Sequence, residues 1–154
     1  MLSTNWLLNK LAADFPSLHF ETGDDFKWSF TTRTIVVNPH DKYFYERTLH
    51  EVSHAVLQHS SYDTDIDLIA MERDAWHQAK TKLGSTYGIT IAADTIEDDL
   101  DTYRNWLHAR STCPSCNATG LQVKKQEYRC VSCAHRWRVN EARICSLRRY
   151  SIKK

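Results

Sequence analysis

The first 112 residues contain no cysteine, and all five cysteines of this 154-residue chain come later. Four of them form two C-x-x-C pairs, a pattern typical of metal binding rather than of a disulfide framework. We therefore expect a reducing compartment, the cytoplasm. Long apolar runs are also missing, since segments such as residues 34–37 are far too short to span a bilayer. Residues 1–5 lack a basic segment ahead of an apolar one, so we expect no export signal and no membrane partner.

Acidic side chains are scarce at the C-terminal end. Residues 111–154 contain ten Lys and Arg but two Asp and Glu, a net charge of +8. Residues 1–110 contain ten Lys and Arg and 17 Asp and Glu, a net charge of −7. This division predicts two domains, 1–110 and 111–154, with a basic module that meets an anionic partner or docks onto its own acidic body.

The segment His50-Glu51-Val52-Ser53-His54 has the H-E-x-x-H spacing. On a helix, His50 and His54 lie one turn apart on the same face, so both imidazoles can reach one Zn²⁺. Glu51 follows the first ligand, where its carboxylate can act as the general base without binding the metal. The alternative without a metal site is an amphipathic helix with two surface histidines.

Periodicity predicts an α+β fold around this helix. An N-terminal helix should precede three short antiparallel strands, because turn residues separate three segments rich in aromatic and β-branched side chains. Two further helices should follow the motif helix, the first ending at Gly88. In chain order we expect a helix over 2–15, strands over 18–21, 26–30 and 34–37, and helices over 43–59, 65–87 and 94–110.

A catalytic zinc needs a third protein ligand and an open fourth position. Glu72, 18 residues after His54, leaves room for a turn and an antiparallel helix. Asp74 points about 200° away from Glu72 on such a helix, so only one of the two can face the metal. Asp74 and His77 remain alternatives to Glu72. Asp65 is expected to cap the start of that helix, and His59 lies too close to His54 on the motif helix to bind the same ion comfortably.

The expected chemistry is peptide hydrolysis. Glu51 accepts a proton from water at the zinc ion and returns it to the leaving amine. The strand over 34–37 should line the cleft, and a free edge there would pair with an extended peptide. Three side chains remain open as the oxyanion donor: Tyr43, His59 and Tyr62.

The second metal motif consists of Cys113, Cys116, Cys130 and Cys133. Two C-x-x-C knuckles predict a closed structural zinc in a β zinc ribbon, giving two Zn²⁺ per chain. Cys145 is left over as a free thiol. Basic side chains interleave with aromatic ones in this module and are typical of nucleic-acid contacts, although many ribbons bind protein. The candidate nucleic-acid residues are Lys124, Lys125, Arg136 and Arg138.

The segment from Thr34 to Asn38 together with Thr48 to His59 resembles the core of the ImmA/IrrE-type zinc metallopeptidases. Residues 72–79, Glu-Arg-Asp-Ala-Trp-His-Gln-Ala, are similar to their downstream glutamate-alanine signature, with departures at Asp74 and Trp76. The resemblance covers about residues 25–80. It implies a zincin-like fold, a cytoplasmic location and often a transcriptional repressor as the substrate. SprT-like proteins, which also combine a zincin with a ribbon, are a weaker match.

We therefore expect a gluzincin-like, zinc-dependent endopeptidase that acts on an intracellular protein. His50, His54 and Glu72 would bind the catalytic zinc, and the ribbon would recruit substrate or nucleic acid. The alternative is a non-catalytic zinc-binding module that binds nucleic acid or a partner protein.

Overall fold

A computed structural model describes residues 3–142 and 146–153, so Cys145 lies outside the described residues. The predicted α+β class is confirmed. The chain forms two compact units, residues 1–61 with 71–96, and residues 62–70 with 97–154. Residues 97–110 thus group with the C-terminal sheet, and the expected division at residue 110 stays a prediction. No helix among the described residues is long and apolar enough to cross a membrane.

The first unit contains a three-stranded sheet and several helices. Ser3 caps α1, because its hydroxyl accepts a hydrogen bond from the Trp6 amide at 3.1 Å. Leu7 and Leu11 are the buried residues of that helix. In chain order the elements are α1 (Thr4–Asp14), β1 (His19–Thr22), β2 (Lys27–Ser29), β3 (Thr34–Val37) and α2 (Phe44–Val56).

The predicted three-stranded antiparallel sheet is wrong in its topology. The strand order is β1-β3-β2, with β1 parallel and β2 antiparallel to β3. The chain crosses the end of β3 after β1, where the Gly23 amide donates to the Val37 carbonyl at 2.9 Å. A Cβ at Gly23 would lie 2.8 Å from Val36 Cγ1, so the glycine permits this crossing.

The central position of β3 also corrects the expected substrate edge. Both sides of β3 are paired, so residues 34–37 offer no free edge to a peptide. Ile35 and Val37 are fully buried in the core of the unit. Among the described strands of this sheet, the free edges belong to β1 and β2.

The predicted helix over 65–87 is interrupted. It consists of α3 (Asp65–Gln78), a π-helical turn (Ala79–Leu83) and α4 (Gly84–Tyr87). Gly88 ends it in the left-handed conformation with φ of 67°, as expected from its position. The next helix, α5, spans Ala93–Ser111.

The second unit is built on a four-stranded antiparallel sheet. Its strands lie in chain order as β4 (Gly120–Lys124), β5 (Glu127–Cys130), β6 (Arg136–Val139) and β7 (Arg149–Ser151). Tyr128, Trp137 and Val139 are buried on one face, and Leu107 of α5 packs against them. The indole of Trp137 donates to the carbonyl of Arg110 at 2.9 Å, which ties the sheet to the end of the helix.

Candidate metal centres

Three side chains of the first unit converge at the core. His50 and His54 lie on successive turns of α2, and Glu72 lies on α3. Their relative exposures are 5%, 6% and 7%. The amphipathic pattern of α2 explains this burial, because the helix also buries Leu49 and Val52, which bracket His50.

The distances between the ligand atoms suit one metal ion. His50 Nε2 lies 2.9 Å from Glu72 Oε2 and 3.1 Å from His54 Nε2, and His54 Nε2 lies 3.3 Å from Glu72 Oε1. Tetrahedral ligands at about 2.0–2.1 Å from zinc stand about 3.3–3.4 Å apart. The cluster therefore needs only a small expansion to accept the ion, and these three residues could hold a metal.

The charge state of Glu72 favours a cation. Burial by itself would raise the pKa of the carboxyl, but hydrogen bonds from His50 and His54 and the charges of those rings outweigh it. The net effect holds the pKa of Glu72 well below its usual range. The carboxylate is thus anionic at neutral pH, as a metal ligand must be.

His59, one of the expected oxyanion donors, contacts the ring of His54 on the side away from the cluster. Its Nδ1 lies 2.8 Å from His54 Nδ1, on the opposite side of the ring from Nε2. The indole of Trp28 on β2 donates to the His59 carbonyl at 2.8 Å and anchors the residue. Burial, with His54 beside it, lowers the pKa of His59 and favours the neutral imidazole. A neutral His59 can accept a hydrogen bond from the N–H group at His54 Nδ1, which leaves His54 Nε2 free to bind a metal.

His50 is held differently. The indole of Trp76 stacks on its ring, with centroids 4.2 Å apart and the planes at 26°. The Nδ1 atom of His50 is buried and has no hydrogen-bond partner among the described residues. Stacking, rather than a second hydrogen bond, therefore orients this ring. The helix spacing of Trp76, four residues after Glu72, was the one sequence signal for this contact.

The alternatives to Glu72 point elsewhere. Asp74 is exposed and its carboxylate contacts Arg73 at 3.1 Å, while His77 is exposed near the end of α3. Neither belongs to the cluster of candidate ligands found in the described residues. Glu51 is half-buried, adjacent to His50 on α2 and outside that cluster, as a general base should be.

The second cluster consists of Cys113, Cys116, Cys130 and Cys133. The Sγ atoms of Cys113 and Cys133 lie 3.7 Å apart, and those of Cys116 and Cys130 lie 3.5 Å apart. Sulfur ligands at about 2.3 Å in a tetrahedron would be separated by about 3.8 Å. This quartet could therefore hold a metal ion with no position left over.

The two cysteine pairs have the same backbone geometry. In each, the residue after the second cysteine, Asn117 or Ala134, is left-handed, with φ of 63° or 62°. Its amide donates to the carbonyl of the first cysteine, Cys113 or Cys130, at 2.9 or 3.1 Å. A second amide, from Ser115 or Ser132, donates to the first thiol at 3.4 Å.

The backbone amides favour a thiolate at Cys130. Hydrogen bonds from the amides of Cys133 and Ser132 outweigh burial and lower the pKa of Cys130 to about 6. At Cys116 the Ala118 amide by itself would lower the pKa, but hydrogen bonds with the neighbouring thiols outweigh it and raise the pKa to about 11. Cys130 therefore favours the anionic form that a metal ligand needs, and Cys116 does not.

A buried ion pair supports the second unit. The Arg110 guanidinium donates to Asp65 through Nε at 2.8 Å, and Tyr128 donates its hydroxyl to the same carboxylate at 2.5 Å. Arg110 also donates to the Asn140 carbonyl and lies over the Trp106 ring. Asp65 and Arg110 are each 2% exposed. Asp65 is therefore the buried partner of Arg110, whereas its position at a helix start predicted a cap.

The expected nucleic-acid residues lie on the four-stranded sheet. Lys124 ends β4, Lys125 lies in the turn that follows it, and Arg136 and Arg138 are exposed on β6. Lys124 and Arg136 both contact the carboxylate of Glu127.

A scan against models of protein families finds no match for this chain, and neither do searches of curated proteins and of solved structures.

Proposed function

We propose that this chain is a metal-dependent hydrolase. The observation that supports it is the convergence of His50, His54 and Glu72, with Glu51 beside the first ligand. Three protein ligands leave the fourth position of a tetrahedral ion open, as catalytic sites require and structural sites avoid. The donor set of two imidazoles and one carboxylate favours zinc.

The particular activity that we propose is zinc-dependent cleavage of peptide bonds in a protein. A zinc ion held here would supply Lewis acidity and an acidic water. His50 and His54 would hold the ion through their Nε2 atoms, and Glu72 would contribute the negative charge. Glu51 accepts the proton of the attacking water at its carboxylate and donates it to the leaving amine.

The substrate would lie along β2. This strand is a free edge of its sheet, and Trp28 ties it to His59, just beyond the helix that carries the histidines. An extended peptide can add to such an edge through main-chain hydrogen bonds. These hydrogen bonds involve only the main chain of the peptide, so the edge by itself imposes little preference for the amino-acid sequence of the substrate.

The test is Glu51→Gln, with Glu46→Gln on the same helix as the matched control. Glu46 is also half-buried, lies in the first turn of α2 and is outside the cluster of candidate ligands. Fluorescein-labelled casein and a proteome-derived peptide library serve as substrates. We expect both variants to keep close to two zinc ions per chain, while Glu51→Gln loses cleavage by about 100-fold or more and Glu46→Gln keeps it. Cleavage that survives Glu51→Gln would overturn the proposed mechanism.

The second candidate function is a non-catalytic zinc-binding module that holds nucleic acid or a partner protein. The basic C-terminal part of the chain favours it, with its net charge of +8 over residues 111–154. Metal analysis separates the two functions. The enzyme requires two zinc ions per chain, whereas a module with only an intact ribbon requires one.

A further inference from the structure

The outward face of the four-stranded sheet carries two rows of side chains. Successive residues of a strand alternate between faces, and Tyr128, Trp137 and Val139 take the buried one. The opposite face is exposed and presents Arg129, Arg136 and Arg138. Strand register places Leu121 opposite Arg129 and Arg129 opposite Arg136 in one row, and Glu127 opposite Arg138 and Arg138 opposite Tyr150 in the next. We call this surface the arginine face.

Two of the basic side chains at this face share one carboxylate. Lys124 Nζ lies 3.1 Å from Glu127 Oε2, and Arg136 contacts Glu127 Oε1. Burial by itself would raise the pKa of Glu127, but hydrogen bonds from these two cations outweigh it and lower the pKa. Arg129 and Arg138 form no ion pair within residues 3–142 and 146–153. Arg129 and Arg138 are therefore the arginines of this face that no ion pair of the described residues engages.

The placement of these charges costs stability. Arg129 and Arg136 are direct cross-strand partners, and like charges in that position repel. Glu127 relieves Arg136, but Arg129 has no acidic neighbour of its own in the described ion pairs. An anionic ligand would remove this repulsion.

Apolar surface adjoins Arg129. A groove of about 360 Å³ is lined by Arg129, Leu121, Val123 and Val131. Leu121 is 64% exposed and Val131 is 68% exposed, so the groove is open to solvent. In the next row Tyr150, opposite Arg138, is 47% exposed. The surface thus offers cations, an apolar groove and an aromatic ring together.

We propose that the arginine face binds single-stranded nucleic acid. Phosphates contact Arg129 and Arg138, one base stacks on Tyr150 at β7, and another base further along the strand lies in the groove beside Leu121 at β4. Single strands expose the faces of their bases, whereas a duplex hides them, so the aromatic and apolar parts of the surface favour the single strand. An acidic peptide would satisfy the arginines and leave Tyr150 and the groove without a matching group. The proposal is independent of the peptidase function.

The test measures binding of a fluorescein-labelled 20-nucleotide oligo-dT to the full chain by fluorescence anisotropy. The Arg129→Ser/Arg138→Ser variant should weaken binding by about tenfold or more at low salt. The slope of log affinity against log salt should fall by about 1.4, for two lost phosphate contacts. Arg73→Ser/Arg104→Ser removes the same net charge from exposed helix positions that are not part of the arginine face, and it should change the affinity less than threefold.

Tyr150→Leu tests the stacking. It should weaken binding by about fivefold or more while leaving the salt slope unchanged, because base stacking releases no counterions. Zinc content measured for every variant should stay constant, since none of these residues is a candidate ligand. Equal losses in the arginine-face and control variants would overturn the proposal. So would tighter binding of a 20-base-pair duplex, or of poly-glutamate, than of oligo-dT.

Discussion

The four-cysteine cluster takes its ligands from two short turns, whereas the His50–His54–Glu72 cluster takes them from two helices of the first unit. Each cysteine turn carries its own hydrogen bonds from backbone amides to thiol and carbonyl within five residues. The histidine cluster depends on contacts between residues far apart in the chain, such as His50 with Glu72 and Trp28 with His59. One site is built locally and the other by tertiary packing.

The number and type of ligands in each cluster indicate what a metal ion bound there would do. Four thiolates close the coordination sphere, so a metal there can only hold the strands of the second unit together. Two imidazoles and one carboxylate leave a position open, and the core of the first unit, including Trp76, holds them without the ion. We therefore expect metal removal to unfold the cysteine site and to leave the histidine site folded.

The largest expected effect comes from Cys130→Ser. Binding of a structural zinc contributes about 10–16 kcal/mol of folding free energy in small domains, so the loss of one thiolate should abolish order in the four-stranded sheet. Metal analysis should show one zinc per chain, and the NMR signal of the Trp137 indole N–H, which donates to the Arg110 carbonyl, should lose its dispersion. The histidine site should keep its metal.

Cys145→Ser is the matched control for that variant. Cys145 lies outside the two C-x-x-C pairs, so its substitution should leave both zinc ions in place. If Cys130→Ser released both metals, the two sites would not be independent and the contrast between them would fail.

The same contrast explains how much could be read from the sequence. The cysteine quartet and the H-E-x-x-H helix are local patterns, and the α+β class follows from periodicity. Glu72 could be selected by spacing but not separated from Asp74 and His77, because its burial depends on how α3 packs. The predicted antiparallel topology of the sheet was wrong, because the chain crosses over β3 at Gly23 and no local sequence pattern marks such a crossing.

The side chains that contact the candidate ligands, and the buried ion pair, could not be predicted from the sequence either. His59 was set aside as too close to His54 to be a ligand, yet that closeness lets it contact the far side of the ring. Asp65 was interpreted as a helix cap because acidic residues favour helix starts. Its pairing with Arg110, 45 residues away, is a tertiary contact that single-sequence patterns do not contain.

A smaller effect is expected from His59→Ala. Loss of the partner of His54 Nδ1 should weaken metal binding at the histidine site by about 10–100-fold, the range for residues that orient a metal-binding histidine. Competition with a chelator, with the cysteine site kept filled, measures the affinity. His59→Asn, which retains a hydrogen-bond acceptor, should recover part of the loss.

His77→Ala is the control, since His77 is an exposed histidine on α3 and lies outside the cluster. The metal affinity of the His77→Ala variant should match that of the unmodified chain. Equal affinities for His59→Ala and the unmodified chain would show that packing alone orients His54. The histidine cluster would then need no hydrogen-bond partner behind its ligands, unlike the cysteine cluster with its backbone amides.

The smallest effect compares the two cysteine turns with each other. Ala134 and Asn117 occupy equivalent left-handed positions, but only Asn has a side chain that tolerates this conformation well. Ala134→Gly should stabilise the second unit by about 0.5–1 kcal/mol, because relief of the left-handed strain exceeds the entropy that glycine adds to the unfolded chain. Asn117→Gly should change the stability by less than about 0.5 kcal/mol by the same reasoning. Urea unfolding of the zinc-loaded protein, followed by the NMR signal of the Trp137 indole N–H, measures both stabilities. Equal shifts would mean that the two turns are not strained differently.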